Sequence, residues 1–451
     1  MNIGEYFELI PIISAVFWLL IITGIAFVKN NSSEDKIHKK YFLPHYFFKL
    51  FMAMAFAMIY LVYYQGGDTV AYWAGAMNLN NMLFDSPVNY FIELFTESKL
   101  SNMGLRFNPT TGYPPGWIYR EPESFAVSKI LSFFSLITFK SYLATTVILS
   151  YISTLITWRF FETILKMKLH QERILAFGIL FFPSVAFWCS GISKDTIVFL
   201  AMLLMVRNTI ELYYDFQTNT RNRIIALVIC LLIILTIRQY ILFATIPAIL
   251  VSITVLINNM ASGNAMKKIS LKVLFYTGSI GFIILFTQLD ASPINPQAIV
   301  DEIVVIQQDF ANNAIYGTGR YDLGIKDFSN AAIAQTIPSA LIAAVYRPLL
   351  WEALSPLLIF NGLESFLLLL LTARFFLFNF SKKVRYIREN QFLVFSIVFI
   401  VIMGFSVGFT SGLYGVLVRL KAVIMPFTML LLTLQFTEEI SAKKKNKSTN
   451  S

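Results

Sequence analysis

The sequence contains few charged residues. Only 14% of its 451 residues are Asp, Glu, Lys or Arg, whereas 57% are hydrophobic and the mean hydropathy is +0.65. A water-soluble domain of this length carries a larger charged fraction, so the composition excludes a soluble protein and indicates a polytopic membrane protein. The formal net charge of +10 does not indicate a nucleic-acid partner, because most Lys and Arg residues lie in short connections between apolar runs.

Cysteine and histidine are also scarce. Cys189 and Cys230 lie inside or at the end of apolar runs, which excludes a disulfide framework. All three histidines (His38, His45 and His170) lie beside basic connections, so no metal site is expected from them. The sequence lacks the motifs of zinc metalloproteases, P-loop proteins and dinucleotide-binding proteins. ATP-driven transport by this chain alone is therefore not expected.

Long apolar runs determine the predicted fold class. A run of about 20 apolar residues crosses the hydrocarbon core of a bilayer, and this criterion predicts an all-α protein with about eleven transmembrane helices. We expect residues 1–451 to form a single integral membrane domain, with long outer loops at 65–141 and 290–354 that bear interfacial helices. A basic cytoplasmic tail follows at 438–451. The predicted spans are 9–28, 45–64, 141–165, 174–188, 196–212, 224–237, 241–257, 273–289, 355–378, 391–409 and 421–436.

The basic residues predict the orientation of these spans. Cytoplasmic connections are enriched in Lys and Arg, and the first connection contains Lys29, Lys36, Lys39, Lys40 and Lys49. We therefore expect the N-terminus outside, the C-terminus in the cytoplasm and, given the lysine- and asparagine-rich composition, a bacterial inner membrane. The residues before the first span include acids but no Lys or Arg, so they do not resemble a cleaved secretory signal.

A carboxylate follows the second span at the predicted water boundary. Gly66 and Gly67 permit a sharp turn immediately before Asp68. Tyr72 and Ala76 follow one and two helical turns later, which places them on the same helix face as Asp68. The position suits a catalytic base exposed to both water and lipid headgroups. An alternative is a helix N-cap, in which the Asp68 side chain accepts a backbone N–H.

Several cations interrupt the expected charge pattern. Short outer turns are normally poor in basic residues, yet Lys194, Arg238, Arg419 and Lys421 lie in three of them and Arg347 begins another outer segment. Guanidinium and ammonium groups suit phosphate recognition, so Lys194, Arg238, Arg347 and Arg419 are candidate phosphate-binding residues. Alternatively, each cation reaches ordinary lipid phosphates or pairs with a local acid such as Asp195 or Glu352.

Three features inside or beside spans add to this pattern. Pro183 interrupts a short span, and Pro348 follows Arg347 before Trp351 and Glu352. Interrupted helices tend to face protein or a cavity, because their freed backbone groups need partners. Glu364 lies deep in its predicted span, where a carboxyl is expected to be protonated or paired with Asn361 or Ser365.

The residues around Asp68 resemble a known family. The pattern Gly67-Asp68-x-x-x-Tyr72-x-x-x-Ala76, at the first outer loop after a span, resembles the opening of the GT-C superfamily of membrane glycosyltransferases. The segments Pro183 to Asp195 and Arg347 to Glu352 are similar to those of bacterial proteins of surface-polysaccharide assembly. Many members have Asp-Glu where this chain has Asp68-Thr69, and an additional helix precedes the expected first span. The subfamily and the number of catalytic carboxylates therefore stay open.

The resemblance implies a transfer reaction at the outer face. Asp68 would act as general base in moving a sugar or oligosaccharide from a polyprenyl-phosphate-linked donor to a glycan or lipid acceptor. Lys194, Arg238, Arg347 and Arg419 would bind the phosphate, with Tyr72, Asp195 and Glu352 in support. No metal ligand set is assigned. A divalent ion near outer acids such as Glu121, Glu123, Asp322 and Asp327 is an open alternative.

Two other functions fit the same pattern. A Wzy-type polymerase of polysaccharide repeat units would depend more on the arginines than on Asp68. A transporter or flippase would use the cations to bind the headgroup of a lipid-linked anionic substrate. It would also alternate its access between the two sides of the membrane. The partners expected in every case are membrane lipids and a phosphate-bearing lipid, with no nucleic acid.

Overall fold

The computed structural model describes residues 3–214, 219–260, 330–353 and 355–434, together with isolated positions between 261 and 329. Every regular element in these residues is a helix. Among them, eight helices are long and apolar enough to cross a bilayer, and a bent pair gives a ninth if it counts as one span. The chain is an all-helical polytopic membrane protein, which confirms the fold class predicted from the composition.

The chain folds as two compact units, Met1–Gln239 and Tyr240–Ser451. In the first unit, α1 and α2 both pack against α8, and α11 packs against α8 and α12. The helices of this unit are α1 (Leu9–Asn31), α2 (Lys36–Met58), α3 (Asp68–Asp85), α4 (Pro87–Phe95), α5 (Leu100–Arg106), α6 (Gly116–Tyr119), α7 (Pro122–Ile137), α8 (Tyr142–Lys166), α9 (Glu172–Leu180), α10 (Pro183–Trp188), α11 (Lys194–Tyr214) and α12 (Thr220–Arg238).

Local sequence signals fix several of these helix ends. The Asp35 side chain accepts a hydrogen bond from the Ile37 amide at 2.9 Å at the start of α2. The hydroxyl of Ser141 likewise accepts from the amide of Ala144, 3.2 Å away, at the start of α8. Proline occupies the first turn of α4, α7 and α10. It is tolerated there because the first N–H groups of a helix have no intrahelical partner.

The predicted first outer loop is largely helical. Residues 65–141 form α3 to α7, and none of these five helices passes the length and hydropathy test for a span. In α4, Phe91, Ile92 and Phe95 are exposed while Tyr90 is buried. An exposed apolar face on a short helix next to membrane spans is typical of a helix lying in the interface. The structure thus has an amphipathic helix within the segment 65–141, where an interfacial helix is predicted.

The second unit is built around α17, which packs against α13 and α14. Arg347-Pro348 follows α14, which ends at Tyr346 because proline disfavours helical geometry in the residue before it. The last two helices are bent by 67° relative to each other. The helices of this unit are α13 (Tyr240–Met260), α14 (Asn330–Tyr346), α15 (Pro356–Leu377), α16 (Phe380–Glu389), α17 (Gln391–Thr410), α18 (Tyr414–Lys421) and α19 (Met425–Leu432).

Three predicted spans differ from the structure. The span predicted at 45–64 begins at Lys36, so Lys49 lies inside a helix rather than in a connection. The span predicted at 174–188 is two short helices, α9 and α10, separated at Phe181 and Phe182. The last span begins at Tyr414 instead of Lys421. Burial of Lys49 and Lys421 against other helices lets apolar segments extend past charges that mark a boundary in the sequence alone.

Some predictions fall on residues outside those the structure describes. These are the span at 273–289, apart from single positions, most of the loop at 290–329, and the basic tail at 438–451. They stay predictions.

Candidate active site

Asp68 is the first residue of α3. Gly67 occupies the N-cap position with φ of 96°, a backbone conformation that residues with a side chain rarely adopt. A Cβ at Gly67 would also lie 3.1 Å from the ring of Tyr60. The alternative in which Asp68 is itself the N-cap is therefore wrong, because the two-glycine turn places the cap one residue earlier. Asp68 is half-buried. The positive end of the α3 dipole stabilises its negative charge.

The packing of α3 on α7 fixes the position of Asp68. Tyr72 and Ala76, predicted on the same face, are both buried. At Gly75, an added Cβ would overlap the Ser128 side chain of α7, so the two helices approach closely at this point. The Thr69 hydroxyl forms a 2.6 Å hydrogen bond with the Tyr142 hydroxyl of α8. Tyr72 thus belongs to a packed helix interface, which holds the first turn of α3 in place.

Lys194 and Asp195 begin α11 after a tight, buried turn. The Ser193 hydroxyl accepts a hydrogen bond from the Thr196 amide at 3.0 Å and so caps the helix. A Cβ at Gly191 would overlap the ring of Phe56 on α2, so this turn packs directly against the helix that leads to Asp68. The side chain of Asp195 is 2% exposed and that of Lys194 is 12% exposed.

Two cations and four carboxylates interact at or next to the starts of α3, α7 and α11 and the end of α12. An Arg238 guanidinium nitrogen lies 2.9 Å from the Asp195 carboxylate. The Lys194 ammonium lies 3.9 Å from a carboxylate oxygen of Glu121, too far for a hydrogen bond. Lys194 also interacts electrostatically with Asp68, Glu123 and Arg238. We call these six residues the charged cluster: Asp68, Glu121, Glu123, Lys194, Asp195 and Arg238.

The charged cluster brings together four of the residues predicted for the site, namely Asp68, Lys194, Asp195 and Arg238. Three helix starts or ends supply them: the start of α3, the start of α11 and the end of α12. The carboxylates give the two cations local partners, and the formal charge of the six side chains is −2 (two cations, four carboxylates). Neighbouring carboxylates thus position Lys194 and Arg238, and the cluster is not an open patch of positive charge.

The structure describes two of the four outer acids that were considered for a divalent ion. Glu121 and Glu123 belong to the charged cluster, whereas Asp322 and Asp327 lie outside the described residues. Within the described ranges, no group of three His, Cys, Asp or Glu side chains is placed to share a metal ion. No step of the reaction is assigned to a divalent ion.

Arg347 and Glu352 come together in the second unit. Arg347 Nε lies 3.3 Å from Glu352 Oε1, and the other oxygen of Glu352 accepts a hydrogen bond from the Leu349 amide at 2.8 Å. The guanidinium also stacks over the ring of Tyr321, with 5.6 Å to the centroid. Burial raises the pKa of Tyr321, whose hydroxyl donates to the Gly408 carbonyl at 3.1 Å. Arg347 is thus held by an acid, an aromatic ring and a helix break.

The structure places the last two predicted outer cations on a helix. Arg419 and Lys421 lie in the last turn of α18, so the predicted outer turn at these residues is wrong. Lys421 is fully buried and donates to the Arg347 carbonyl at 2.8 Å and to the Ser365 hydroxyl at 3.3 Å. It also interacts with Glu364. Glu364 thus has a buried cationic neighbour in Lys421. The sequence pattern had placed Lys421 in an outer turn.

A second buried lysine was also missed by the sequence pattern. Lys49 is 1% exposed in the middle of α2, and its ammonium has no hydrogen-bond acceptor among the described residues. One turn earlier, His45 Nδ1 lies 3.0 Å from the Leu180 carbonyl and Nε2 lies 2.8 Å from the Thr157 hydroxyl. The predicted span at 45–64 contains both positions, but Lys49 was counted among the basic residues of the preceding connection.

Comparison of the chain with protein-family models, with curated proteins and with solved structures gives no match. The fold and its apolar spans define the class, an integral membrane protein with helical segments between its spans.

Proposed function

We propose that the protein is a membrane glycosyltransferase that moves a sugar or oligosaccharide from a polyprenyl-phosphate-linked donor to a hydroxyl acceptor. The observation that supports it is the charged cluster, in which a carboxylate at a helix start lies within electrostatic range of a partly exposed lysine. A base for the acceptor and a cation for the leaving phosphate are the two charges that such a transfer requires.

Asp68 is the proposed base. As a half-buried residue in the first turn of α3, it is accessible to an acceptor, while the packing of α3 on α7 limits its movement. The carboxylate removes the hydroxyl proton as the acceptor oxygen bonds to the anomeric carbon of the sugar. The bond between that carbon and the phosphate oxygen breaks, and its electron pair leaves with the polyprenyl phosphate or diphosphate. Base assistance of this kind contributes about 10²- to 10⁴-fold in rate.

Lys194 and Arg238 are the proposed phosphate-binding groups. Because the Lys194–Glu121 distance of 3.9 Å exceeds a hydrogen bond, the ammonium can turn its protons to a phosphate without breaking a short contact. The guanidinium of Arg238 has five N–H donors, and one of its nitrogens contacts Asp195. The buried carboxylate of Asp195 positions that guanidinium before substrate arrives, which lowers the cost of ordering it at the transition state.

The key variant is Asp68→Asn, which keeps the size of the side chain and removes the base. The full-length protein in liposomes is supplied with tritium-labelled hexosyl polyprenyl phosphates and with lipid extracts as acceptors, and transfer of label from the donor is measured. We expect Asp68→Asn to lower transfer by about 10²-fold or more. Asp35→Asn is the matched control, because Asp35 also stands at a helix start but caps α2. Wild-type transfer by Asp68→Asn would remove Asp68 from the mechanism.

Variants of the two cations separate this proposal from its alternatives. Lys194→Gln and Arg238→Gln are expected to lower transfer and to weaken binding of unlinked polyprenyl phosphate, a product analogue. Full transfer in Asp68→Asn combined with loss in Arg238→Gln would favour a polymerase that depends on arginine. Movement of labelled lipid between leaflets without transfer would favour a flippase. Arg347→Gln and Arg419→Gln in the same assay test whether the predicted residues of the second unit participate.

A further inference from the structure

A different cationic site lies in the second unit, where α15, α16 and α19 each contribute residues. A cavity of about 270 Å³ is lined on its polar side by Arg374, Asn379, Lys383 and Thr433. Phe378 and Leu432 are among its apolar lining residues. Both charged lining residues are cations, and none of the residues around this described cavity is acidic. This charge balance is the opposite of that in the charged cluster, where carboxylates outnumber the cations.

The backbone at the end of α15 positions the two cations. Asn379 adopts a left-handed conformation with φ of 54° and is the N-cap of α16. The Lys383 ammonium donates to the carbonyl oxygen of Phe375 at 3.2 Å and lies 4.8 Å from the centroid of its ring. Lys383 is buried, whereas Arg374 is exposed in the last turn of α15. One cation is therefore anchored to the protein, and the other is able to adjust to a ligand.

The surroundings of the cavity are those of a membrane interface. Phe376, Leu377 and Phe380 are exposed next to it, at the end of a membrane-spanning helix. The following helix, α16, exposes Lys382, Arg385 and Arg388 while it buries Ile387. A short basic helix directly after a span is typical of a segment at the level of the lipid headgroups.

The size of the cavity restricts the ligand. Its volume of about 270 Å³ is just below the range of about 300–1,000 Å³ typical of small-molecule sites. It suits a phosphate with a small substituent better than a nucleotide or an oligosaccharide. Exposed apolar side chains beside it suit acyl chains, which a water-soluble phosphate lacks.

We propose that this cavity binds the phosphodiester headgroup of an anionic phospholipid, with Arg374 and Lys383 on the phosphate oxygens and the acyl chains along Phe376 and Phe380. Guanidinium and ammonium groups bind phosphate through charge-assisted hydrogen bonds. The proposal does not depend on sugar transfer at Asp68, because all of its residues belong to the second unit.

The test uses the full-length protein in a neutral detergent. Binding of fluorescent phosphatidylglycerol is measured against fluorescent phosphatidylcholine, for the wild type and for Arg374→Gln. Because losing one charge-assisted hydrogen bond weakens binding by roughly tenfold, we expect that loss for phosphatidylglycerol in Arg374→Gln. The matched control is Arg385→Gln, which removes the same charge from α16 outside the cavity and is expected to change affinity by less than about twofold.

Lys383 is tested with a pair of variants, since its removal also breaks the contact with the Phe375 carbonyl. Lys383→Gln should weaken binding of phosphatidylglycerol, and Lys383→Arg should restore it at an unchanged unfolding midpoint. Equal losses in Arg374→Gln and Arg385→Gln, or equal affinity for the two lipids, would overturn the proposal, because affinity would then come from general surface charge. Displacement of the labelled lipid by inorganic phosphate at low millimolar concentration would assign the cavity to free phosphate and overturn the lipid assignment.

Discussion

Arg238, the last residue of α12, forms an ion pair of 2.9 Å with Asp195, the second residue of α11. The pair joins the end of one membrane-spanning helix to the start of another, and the Asp195 side chain is almost completely withdrawn from solvent. Replacing only one member of such a pair lowers the free energy of unfolding, because the remaining charge stays buried without its partner.

Removing one member of this pair should destabilise the protein. We expect Asp195→Asn to lower the free energy of unfolding by about 3 kcal/mol. In a double-mutant cycle with Arg238→Gln, the coupling between the two residues should be about 1–3 kcal/mol. Unfolding in mixed micelles with increasing denaturing detergent measures both quantities.

The control for this cycle is the pair formed by Lys99 and Glu97. It has the same N–O distance of 2.9 Å, but its side chains are 60% and 58% exposed. Exposed pairs contribute little, so the coupling expected here is below about 1 kcal/mol. Equal coupling in the two pairs would show that burial does not determine the strength of the Arg238–Asp195 pair.

Replacing the buried Lys49 of α2 should raise the free energy of unfolding, in contrast to Asp195→Asn. Lys49→Met replaces a buried amine, which has no hydrogen-bond acceptor in the described residues, by an apolar side chain of similar length. We expect the free energy of unfolding to rise by about 1–3 kcal/mol. Lys39→Met, on the exposed part of the same helix, should change it by less than about 0.5 kcal/mol.

Lys421 provides the contrasting variant for the same substitution. Because Lys421 donates to the Arg347 carbonyl and the Ser365 hydroxyl, Lys421→Met should lower the free energy of unfolding by about 1–3 kcal/mol. A loss of stability in Lys49→Met as large as that in Lys421→Met would mean that Lys49 has a partner essential to the fold.

Close packing of α17 on α14 depends on Gly408. A Cβ at this position would overlap the carbonyl group of Ala340, which is backbone and has little freedom to move. We expect Gly408→Ala to lower the free energy of unfolding by about 1–3 kcal/mol.

Gly24→Ala is the matched control for that variant. Gly24 also lies within a membrane-spanning helix, but no neighbouring atom lies within 4 Å of an added Cβ. Alanine favours helix by up to about 1 kcal/mol over glycine, so stability should stay constant or rise. Equal behaviour of the two variants would contradict the close approach of α14 and α17.

The ion pair between Lys40 and Glu172 should make local stability depend on pH. Partial burial acts to raise the pKa of Glu172, but the hydrogen bond from Lys40 and the charges of Lys40 and Arg173 act to lower it, so the pKa lies below its usual value of 4.5. Because the folded pKa is below the unfolded pKa, the pair stabilises the fold above pH ~4.5 and is lost as the pH falls through the folded pKa. Both side chains are partly exposed, so the effect is small.

Amide hydrogen exchange in α9 measures this effect. At pH 6, Glu172→Gln should exchange about two- to fourfold faster than the wild type. The ratio should approach one as the pH falls through the folded pKa of Glu172, where the wild-type carboxylate becomes protonated. Using the ratio at each pH removes the intrinsic pH dependence of exchange. A ratio that stays constant down to pH 3 would contradict the role of the carboxylate charge.

Sequence patterns predicted several local features of the candidate site. The two glycines before Asp68 predicted the sharp turn, and the structure shows Gly67 with a positive φ at that point. The proline at 183 predicted the helix break now seen between α9 and α10. These features are local, so a short stretch of residues contains the physical reason for them. The alternative of an N-cap at Asp68 failed by one residue, because glycine also serves as a cap.

Partners of charged residues could not be predicted in the same way. The pairing of Arg238 with Asp195 and the interaction of Lys421 with Glu364 join residues that lie far apart in the chain. In the sequence, Lys49 was counted with the basic connection before its span and Lys421 marked the start of the last span, because a charge lowers the local hydropathy. Both are buried in helices, since neighbouring helices exclude them from lipid.

The amino-acid sequence by itself determined that this protein is helical and lies in a membrane. The hydropathy of each segment decides whether it enters the lipid. Within the lipid, the backbone N–H and C=O groups must form hydrogen bonds with each other, which favours helices. Only the tertiary structure decided which ends of the helices meet, and so which carboxylates lie beside Lys194 and Arg238. That choice depends on side-chain packing between helices, such as α3 on α7, and no single segment contains both surfaces.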